Sequence, residues 1–407
     1  MSEKRGLTPF WRVTLPFLAG YFVSYVYRSI NAIIGPELAR EFGLSPAGLG
    51  LLSGIYFFAF AAFQLPLGVL LDRYGPRRVE ATLLLLAAAG GLWFSLARSA
   101  PELTLARALI GLGVSGCLMS ALSAFALWYP PQRLATMNGL AFASGMLGAM
   151  AATVPLEYAL RLVGWRVVVR SVAVLTLAVS AVLWTVPDRA AHNRSESLGQ
   201  QLREFAALTR DPAFWRIALC IGASQFATVS LGTLWVATWL RDVAGYAPAA
   251  VAQALLGFSL SMLCGYIVFG RVADRMAKRG RSPLLLLTGG LAASSACLAV
   301  LTAGVRSGAF GLWCLFFGMS TVMVLGYPLF SRRHPIAMVG RVNTALNVFV
   351  FGGMFVGQWS VGAVLSLWPQ TPAGGYAAEA YGWALAMLWA VQAAGLGWLW
   401  SGRRLLA

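Results

Sequence analysis

The sequence predicts an all-α membrane protein in which twelve helices cross the bilayer. Of its 407 residues, 59% are hydrophobic and only 11% are charged. Soluble domains are about 45–50% apolar and about 25% charged, so a water-exposed fold could not bury this much apolar surface. Apolar runs long enough to cross a bilayer core of about 30 Å recur along the whole chain. Because unpaired backbone groups cannot face lipid, each run is expected to be a helix.

Short polar or charged segments separate the apolar runs and delimit the predicted spans. The twelve spans are predicted at residues 12–35, 49–71, 79–98, 102–128, 135–160, 165–186, 214–240, 248–270, 283–304, 308–330, 337–366 and 379–401.

The basic residues are scattered between the spans and predict the orientation of the chain. The formal net charge of +17 would also suit nucleic-acid binding, but no dense basic patch is present and nucleic acid is not expected as a partner. With the N-terminus inside, 22 of the 31 Lys and Arg residues fall on the cytoplasmic side, as the positive-inside rule requires. We therefore expect a multi-pass protein of a bacterial inner membrane, surrounded by lipid and monomeric, with both termini cytoplasmic.

The longest polar stretch, residues 188–211, lies midway along the chain. Within it, Leu198, Leu202, Phe205 and Leu208 follow helical spacing, which indicates an amphipathic helix at the membrane surface. The predicted organisation is an N-terminal six-helix bundle at 1–187, a cytoplasmic linker at 188–212 and a C-terminal six-helix bundle at 213–407.

The two halves contain a repeated motif. Gly68-Val-Leu-Leu-Asp72-Arg73 follows the second span and Gly270-Arg-Val-Ala-Asp274-Arg275 follows the eighth, with both the Gly and the Asp pairs 202 residues apart. Duplicated halves that enclose a central path are a recurring plan of secondary transporters.

The motif resembles a known family. Residues 68–78, GVLLDRYGPRR, are similar to the signature loop of the major facilitator superfamily between its second and third helices, and residues 270–281 resemble its weaker second copy. Arg107, Gly111 and Gly113 are similar to the Arg-x-x-x-Gly-x-Gly pattern of its fourth helix. The resemblance covers essentially the whole chain. It implies two six-helix bundles related by a pseudo-two-fold axis, and a transporter that is not an enzyme.

Two departures from the family pattern bear on function. Pro76 occupies a place that is usually basic, so the basic pair moves to Arg77 and Arg78. The fifth span has Gly139 and Gly145 but lacks the full Gly-x-x-x-Gly-Pro pattern common in antiporters of the family. This absence favours uptake over efflux.

The signature loop implies a cytoplasmic gate. Gly68 would let two helices approach closely, and Asp72 is suited to pair with Arg133 or with the positive end of the eleventh helix near Val339. The alternative is that these charges only anchor the topology. The predicted gate residues are Gly68, Asp72, Arg73, Arg77, Arg78, Arg133 and Asp274.

Arg28 lies deep in the first span, where ionisable residues are costly and usually functional. Tyr21 and Tyr25 share its helical face, and Asn31 continues that face one turn later. A guanidinium group can hold a planar anion through paired hydrogen bonds. The arrangement resembles the organophosphate and organic-anion branches of the family, which carry an Arg on this helix.

The seventh span offers Gln225 but no arginine beyond Arg216 at its start, whereas the phosphate branch usually has a matching Arg there. A single Arg favours a carboxylate over a phosphate dianion. The alternative is that Arg28 reaches the outer headgroups or pairs with Glu37 or Glu41.

Further polar residues in the second half either line the cavity or join helices. They are Gln225, Tyr327, Asn343, Asn347 and Gln358.

Arg107 and Glu157 are the predicted coupling candidates. In the family that the chain resembles, the position of Arg107 is linked to proton coupling or to helix packing. Glu157 is interpreted as the only carboxylate well inside a span, and it either carries a proton or pairs with Arg161 or Arg170.

The preferred hypothesis is secondary transport of a small organic anion, such as a carboxylate, by alternating access with proton or anion coupling. A drug or metabolite exporter of the same fold is the first alternative, and a transport-inactive sensor or scaffold is a remote one. No cofactor or metal site is predicted, because His192 and His334 both fall in loops. No strand precedes the Gly-rich stretches, so nucleotide binding is not expected.

Overall fold

The computed structural model describes residues 10–187, 198–305, 308–334, 338–371 and 374–405, and this part of the chain is helical throughout apart from short connections. Ten of its helices are long and apolar enough to cross a membrane, and Pro46–Ala62 is a shorter apolar helix. Two of the ten, Gln64–Leu96 and Val154–Thr185, each join parts of two spans across a non-helical glycine. Grouped in this way, the described residues form twelve spans, which confirms the predicted fold class.

The bounds of the spans follow the apolar runs. They are, in order, Phe10–Thr14 with Leu15–Ser29 and Asn31–Glu41; Pro46–Ala62 with residues 64–74; residues 76–96; Ala100–Val114 with Cys117–Trp128; Pro131–Ala151 with residues 154–163; residues 165–185; Pro212–Ser230 with Leu231–Trp235 and Val236–Asp242; Pro248–Lys278; Leu284–Thr302; Ala309–Ser320 with Thr321–Leu325 and Gly326–Ser331; Val339–Leu365; and Ala378–Ser401.

The largest differences from the predicted bounds occur where a helix continues past its apolar run. The eighth span extends to Lys278, eight residues beyond the predicted 270, because Arg, Ala, Met and Lys are good helix formers in a polar setting. The first span extends to Glu41 rather than 35, through a second helix that begins at Asn31.

Glycines mark the two points at which a long helix contains a break. Gly75 has φ 78° and ψ 159°, and Gly164 has φ 73° and ψ 165°. L-residues with a side chain rarely adopt this backbone region. The breaks lie between the second and third spans and between the fifth and sixth, where the sequence predicts loops.

The described residues form two compact units. The first contains the residues up to Asn31 together with Ile55–Leu202, and the second contains Ala32–Gly54 together with the residues from Arg203 onward. Inside the first unit, hydroxyl groups tie neighbouring helices to each other, as when Ser180 Oγ donates to the carbonyl oxygen of Ala81 at 2.8 Å. Such side-chain bonds replace the hydrophobic driving force that lipid cannot supply.

The amphipathic helix predicted within the linker is present at Leu198–Leu208, and residues 188–197 lie outside the described part of the chain. Within the second unit, Phe205 stacks on Phe349 with ring centroids 6.2 Å apart, and Glu204 forms an ion pair with Arg341 at 2.5 Å. The linker helix is therefore docked on the eleventh span.

Replacing Gly164 with alanine tests the cost of the second break. A Cβ there would meet nothing within 4 Å, so the whole effect comes from backbone strain. We expect Gly164→Ala to lower the free energy of unfolding by about 1–3 kcal/mol. Thermal unfolding of the purified protein measures it. The matched control is Gly139→Ala, whose Cβ also meets nothing within 4 Å but which lies in regular helix; equal stability of the two variants would contradict the explanation.

Candidate substrate site and gates

The predicted stripe on the first span forms an aromatic cluster around Arg28. The Arg28 guanidinium lies 4.6 Å from the centroid of the Tyr25 ring and 5.5 Å from that of Phe60. Tyr21 is buried, packs edge-on against Tyr25 at 5.0 Å, and donates its hydroxyl to the Tyr25 hydroxyl at 3.4 Å. A Cβ at Gly145 would lie 2.7 Å from the Tyr21 ring, so the backbone of the fifth span abuts these rings.

Tyr56, on the second span, is the centre of this cluster. Its ring is fully buried, and its hydroxyl donates to the carbonyl oxygen of Ser24 at 3.3 Å. The same hydroxyl lies within hydrogen-bonding reach of Arg28. Tyr56 therefore joins the first span to the second beside the arginine.

Arg107 approaches Tyr56 from the fourth span. Its guanidinium lies 4.8 Å from the ring centroid of Tyr56, and its Nη1 donates to the carbonyl oxygen of Tyr27 at 2.8 Å. Only 2% of Arg107 is exposed. A buried guanidinium needs hydrogen bonds or a polarisable neighbour, and here it has a carbonyl oxygen and an aromatic face.

The glycines of the fourth-span pattern explain how Arg107 reaches this position. A Cβ at Gly111 would lie 2.3 Å from the carbonyl oxygen of Tyr56, and one at Gly113 would lie 2.4 Å from the backbone nitrogen of Ala87. The fourth span can approach the second and third this closely only without side chains at those two places. The pattern predicted from the family resemblance therefore has a packing role that brings Arg107 against Tyr56.

Asn31 is completely buried in the first unit and begins the helix that follows Arg28. The first unit thus brings together Tyr21, Tyr25 and Arg28 from the prediction and adds Tyr56, Phe60 and Arg107 from other spans.

The remaining substrate-site candidates lie in the second unit. The Tyr327 hydroxyl donates to Asn347 Oδ1 at 2.6 Å, and the Ser331 hydroxyl donates to Asn343 Oδ1 at 3.1 Å. Tyr327, Asn343 and Asn347 are partly exposed and join the tenth and eleventh spans. Gln225, on the seventh span, is also partly exposed.

Gln358 joins helices within the second unit. It is 1% exposed, its side-chain Nε2 donates to Thr233 Oγ1 at 3.1 Å, and its backbone carbonyl oxygen accepts from Trp235 Nε1 at 3.0 Å. Both partners lie in the π-helical turn Leu231–Trp235 of the seventh span. Irregular turns of this kind leave groups for bonding between helices. The contacts favour the helix-joining interpretation of Gln358.

The predicted cytoplasmic gate residues lie on helices, and most of them are exposed. Arg77 Nη1 donates to the carbonyl oxygen of Val186 at 2.7 Å, so it ties the start of the third span to the end of the sixth. Gly68 is half-buried. The other predicted gate residues are all exposed: Asp72, Arg73, Arg78, Arg133 and Asp274. The pairing of Asp72 with Arg133 stays a prediction.

Glu157 and Glu80, two acidic groups of the first unit, differ in their surroundings. Glu157 forms an ion pair with Arg161 one turn later, as one of the two interpretations of that residue predicted. The interpretation of Glu157 as the only carboxylate well inside a span is wrong, because Glu80 on the third span has no exposed surface at all. The sequence signal was present, since Glu80 falls inside the predicted span 79–98. Because Glu80 is the second residue of that predicted span, directly after Arg77 and Arg78, the sequence alone places it near a membrane surface.

A tightly packed seam within the second unit joins residues 32–54 to the seventh and eleventh spans. A Cβ at Gly50 would lie 2.6 Å from the carbonyl oxygen of Gln358, and one at Gly362 would lie 2.3 Å from that of Pro46. The backbone nitrogen of Ala47 donates to Ser366 Oγ at 3.0 Å. We refer to these contacts as the glycine seam. It lies on the side predicted to be outer, where the first and second spans meet.

These features coincide with a family match. The model of the family described as Major Facilitator Superfamily matches residues 17–358. The chain belongs to that superfamily. It is accordingly a multi-pass membrane transporter and not an enzyme.

Two curated bacterial relatives cover different shares of the chain. The "Probable sulfoacetate transporter SauU" of Cupriavidus necator is 24% identical over 291 residues, which is 64% of this chain and 64% of that protein. The match therefore spans less than two thirds of that relative's length. The "Quinolone resistance transporter" of Acinetobacter baumannii is 23% identical over 397 residues, 88% of this chain and 87% of that protein.

A solved structure supports the fold. A bacterial homolog to the human lysosomal transporter Spinster, in an inward-facing and occupied conformation, superposes with a TM-score of 0.79 at 19% identity. The superposition covers 97% of both chains. At this identity the likeness supports the twelve-helix fold and carries no information about substrate.

The glycine seam can be tested by filling it. A Cβ at Gly362 would meet backbone atoms of Pro46 and Ala47, which cannot turn away as a flexible side chain could. Overpacking of this kind costs about 1–3 kcal/mol, so we expect Gly362→Ala to disfavour the closed seam about fivefold or more. In a cysteine-free background, maleimide labelling of Leu49→Cys measures opening, because Leu49 is 1% exposed while the seam is closed.

Gly352→Ala is the matched control, since a Cβ at Gly352 would meet nothing within 4 Å in the same span. Equal labelling rates in the two alanine backgrounds would contradict a tightly closed seam.

Proposed function

We propose that the chain is a secondary transporter that moves a small organic anion across the bacterial inner membrane by alternating access, coupled to protons or to a second anion. Carboxylates and sulfonates are the proposed substrate class. The observation that carries the proposal is the cluster in the first unit, where the guanidinium groups of Arg28 and Arg107 both lie against Tyr56. Two positive charges within one aromatic cluster favour a negative solute.

The two arginines have different roles in the proposal. Arg28 is half-buried and its guanidinium lies over the Tyr25 ring, so we assign it as the direct contact for the anion. A guanidinium presents paired N–H donors that match a planar carboxylate. Arg107 is 2% exposed and donates to the Tyr27 carbonyl, so it acts through its charge and holds the turn that carries Arg28.

The aromatic surroundings strengthen the attraction and set selectivity. Tyr21, Tyr25, Tyr56 and Phe60 enclose the guanidinium of Arg28. Electrostatic attraction is larger in such a low-dielectric site than in water. A cationic solute would meet an unfavourable field there, whereas tyrosine hydroxyls supply hydrogen bonds to an anion's oxygens.

One relative is named for a substrate that belongs to this class. Sulfoacetate carries one carboxylate and one sulfonate, both of which suit a guanidinium contact. Since the match to the sulfoacetate transporter is partial, sulfoacetate is a first test compound and not an assigned substrate.

Alternating access would use two regions described above. The tightly packed glycine seam is the proposed outer gate, and the exposed residues around Asp72 are the proposed cytoplasmic gate. A transporter of this kind has two discrete states, and a ligand that prefers one state shifts the population towards it. The positive-inside bias supports cytoplasmic termini.

Efflux of a drug or metabolite is the second candidate function, because the relative named for quinolone resistance matches over most of both chains. An exporter of that kind would confer resistance on expression in a sensitive strain. The positive cluster argues against cationic drugs but leaves zwitterionic or acidic ones as substrates to be tested.

Substitution of Arg28 tests the proposed function directly. In proteoliposomes, we expect Arg28→Ala to abolish counterflow of sulfoacetate or another active member of a labelled carboxylate and sulfonate panel. Arg28→Lys keeps the charge but loses the paired donors. Since a hydrogen bond to a charged group contributes about 1.5–3 kcal/mol, it should weaken apparent affinity by about tenfold to a hundredfold.

Arg170→Lys is the control, because Arg170 is an exposed residue of the sixth span. Wild-type rates for Arg28→Ala would refute the role of Arg28. Quinolone resistance that survives Arg28→Ala, with no anion counterflow by the wild type, would favour the exporter.

Tyr56→Phe tests whether the central hydroxyl orients Arg28. The variant keeps the ring against Arg107 and removes only the group that contacts Arg28 and donates to Ser24. Loss of one hydrogen bond of about 1 kcal/mol predicts an approximately fivefold higher KM for anion counterflow. The control is Tyr27→Phe, whose hydroxyl instead accepts from Thr176 at 3.3 Å. An unchanged KM in Tyr56→Phe would contradict this role.

A further inference from the structure

Glu80 is a carboxyl group enclosed within the helices of the first unit. It lies on the third span, one turn after Gly75 and Pro76, and none of its surface is exposed. Neither of its carboxyl oxygens has a hydrogen-bond partner among the described residues. Nothing in the anion site or the gates described above uses it.

The neighbouring helices leave a space that the carboxyl group fills. A Cβ at Gly20 on the first span would lie only 2.1 Å from Glu80 Oε1, so the carboxyl group occupies the place where a side chain would otherwise be. On the fourth span, the thiol of Cys117 lies within electrostatic range of both Glu80 and Arg28. On the sixth span, the hydroxyl of Ser180 donates to the carbonyl oxygen of Ala81, the residue after Glu80.

Charged groups lie on three of the elements around Glu80: its own helix, the first span and the fourth span. On its own helix, Arg77 is bonded to the Val186 carbonyl and Arg78 is exposed. On the first span the charged group is Arg28, and on the fourth span it is Arg107. Cys117 is the titratable neighbour on the fourth span.

A buried carboxylate without a hydrogen bond or ion pair costs far more free energy than the neutral acid. In this conformation the group is therefore most stable with a proton bound. When a change of conformation admits water, the same group can release the proton as a hydrated ion and remain as the carboxylate.

We propose that Glu80 is a proton-binding site of the transport cycle, which makes the transporter a proton–anion symporter. The inference rests on the proposed function and names the coupling ion that the proposal left open. Proton binding converts an anion to a neutral acid, so it changes the charge of the first unit by one.

The first span links Glu80 to the anion cluster. Gly20, Ser24 and Arg28 follow one another at intervals of four residues, so about 12 Å of helix separates the Glu80 carboxyl from the level of Arg28. Midway, Ser24 is buried and its carbonyl oxygen accepts from Tyr56, which also reaches Arg28.

This spacing gives the coupling its direction. A deprotonated Glu80 would lower the positive potential at Arg28 and weaken anion binding, whereas a protonated Glu80 leaves that potential intact. Proton and anion therefore favour each other's binding, which is the requirement for symport.

The proton site is tested first without any substrate. Infrared absorption spectra of the purified full-length protein at neutral pH report carboxyl groups that remain protonated through their C=O stretch. We expect a band from a buried acid in the wild type that disappears in Glu80→Gln and returns, shifted, in Glu80→Asp. The control is Glu102→Gln, since Glu102 accepts hydrogen bonds from Ser99 and from the backbone N–H of Arg98 at the start of the fourth span. An identical band in Glu80→Gln would overturn the proposal.

Transport then separates coupling from anion recognition. In proteoliposomes, a proton gradient directed into the vesicles should accelerate sulfoacetate uptake at least several-fold. We expect this for the wild type and for Glu102→Gln. Glu80→Gln should lose that stimulation while retaining sulfoacetate counterflow, which requires no net proton movement. Gradient-stimulated uptake in Glu80→Gln would overturn the symport proposal.

No counterflow of any panel anion by the wild type would instead overturn the proposed function. The infrared result would still decide whether Glu80 binds a proton. Normal thermal unfolding of Glu80→Gln and full activity of Glu80→Asp would exclude a general folding defect.

Discussion

Lipid offers no hydrogen bonds, and this constraint determines both the fold and the candidate site. Every backbone group inside the membrane must be bonded within its own helix, so the apolar runs become spans. The same constraint acts on the few ionisable side chains, each of which needs a partner supplied by the protein. Arg107 satisfies it with the Tyr27 carbonyl and the Tyr56 ring, and Glu157 satisfies it with Arg161. Glu80 has no such partner among the described residues, which sets it apart.

The fold was predictable because the signal for each span is local. Apolar length fixes the existence of a helix, and the order of spans follows directly from the order of runs. The ends were less predictable, as in the eighth span, where polar residues with high helix propensity continue the helix to Lys278. The glycine breaks at Gly75 and Gly164 could be placed between spans but not assigned a conformation. Both have positive φ, which the apolar pattern of the sequence does not encode.

The candidate site was predictable only along a single helix. Tyr21, Tyr25 and Arg28 share a face by periodicity alone, and the structure brings their side chains together. Tyr56 and Arg107 reach the same place from other spans, and periodicity within one helix cannot reveal which faces of different helices meet. The family pattern in the fourth span contained part of this information, because its glycines permit the close approach that places Arg107 over Tyr56.

The positions of the charges connect binding to transport in physical terms. A fixed positive group alone would hold an anion equally well in every conformation, and equal affinity for two states shifts neither. A second ionisable group, whose charge depends on whether water reaches it, makes the affinity for the anion differ between the two states. Glu80 is packed into the space beside Gly20 on the helix that also carries Arg28. Movement of that helix would therefore change the surroundings of both groups together. On this view the anion's affinity follows the protonation of a carboxyl group about 12 Å along the same helix, and the coupling needs no contact between proton site and substrate.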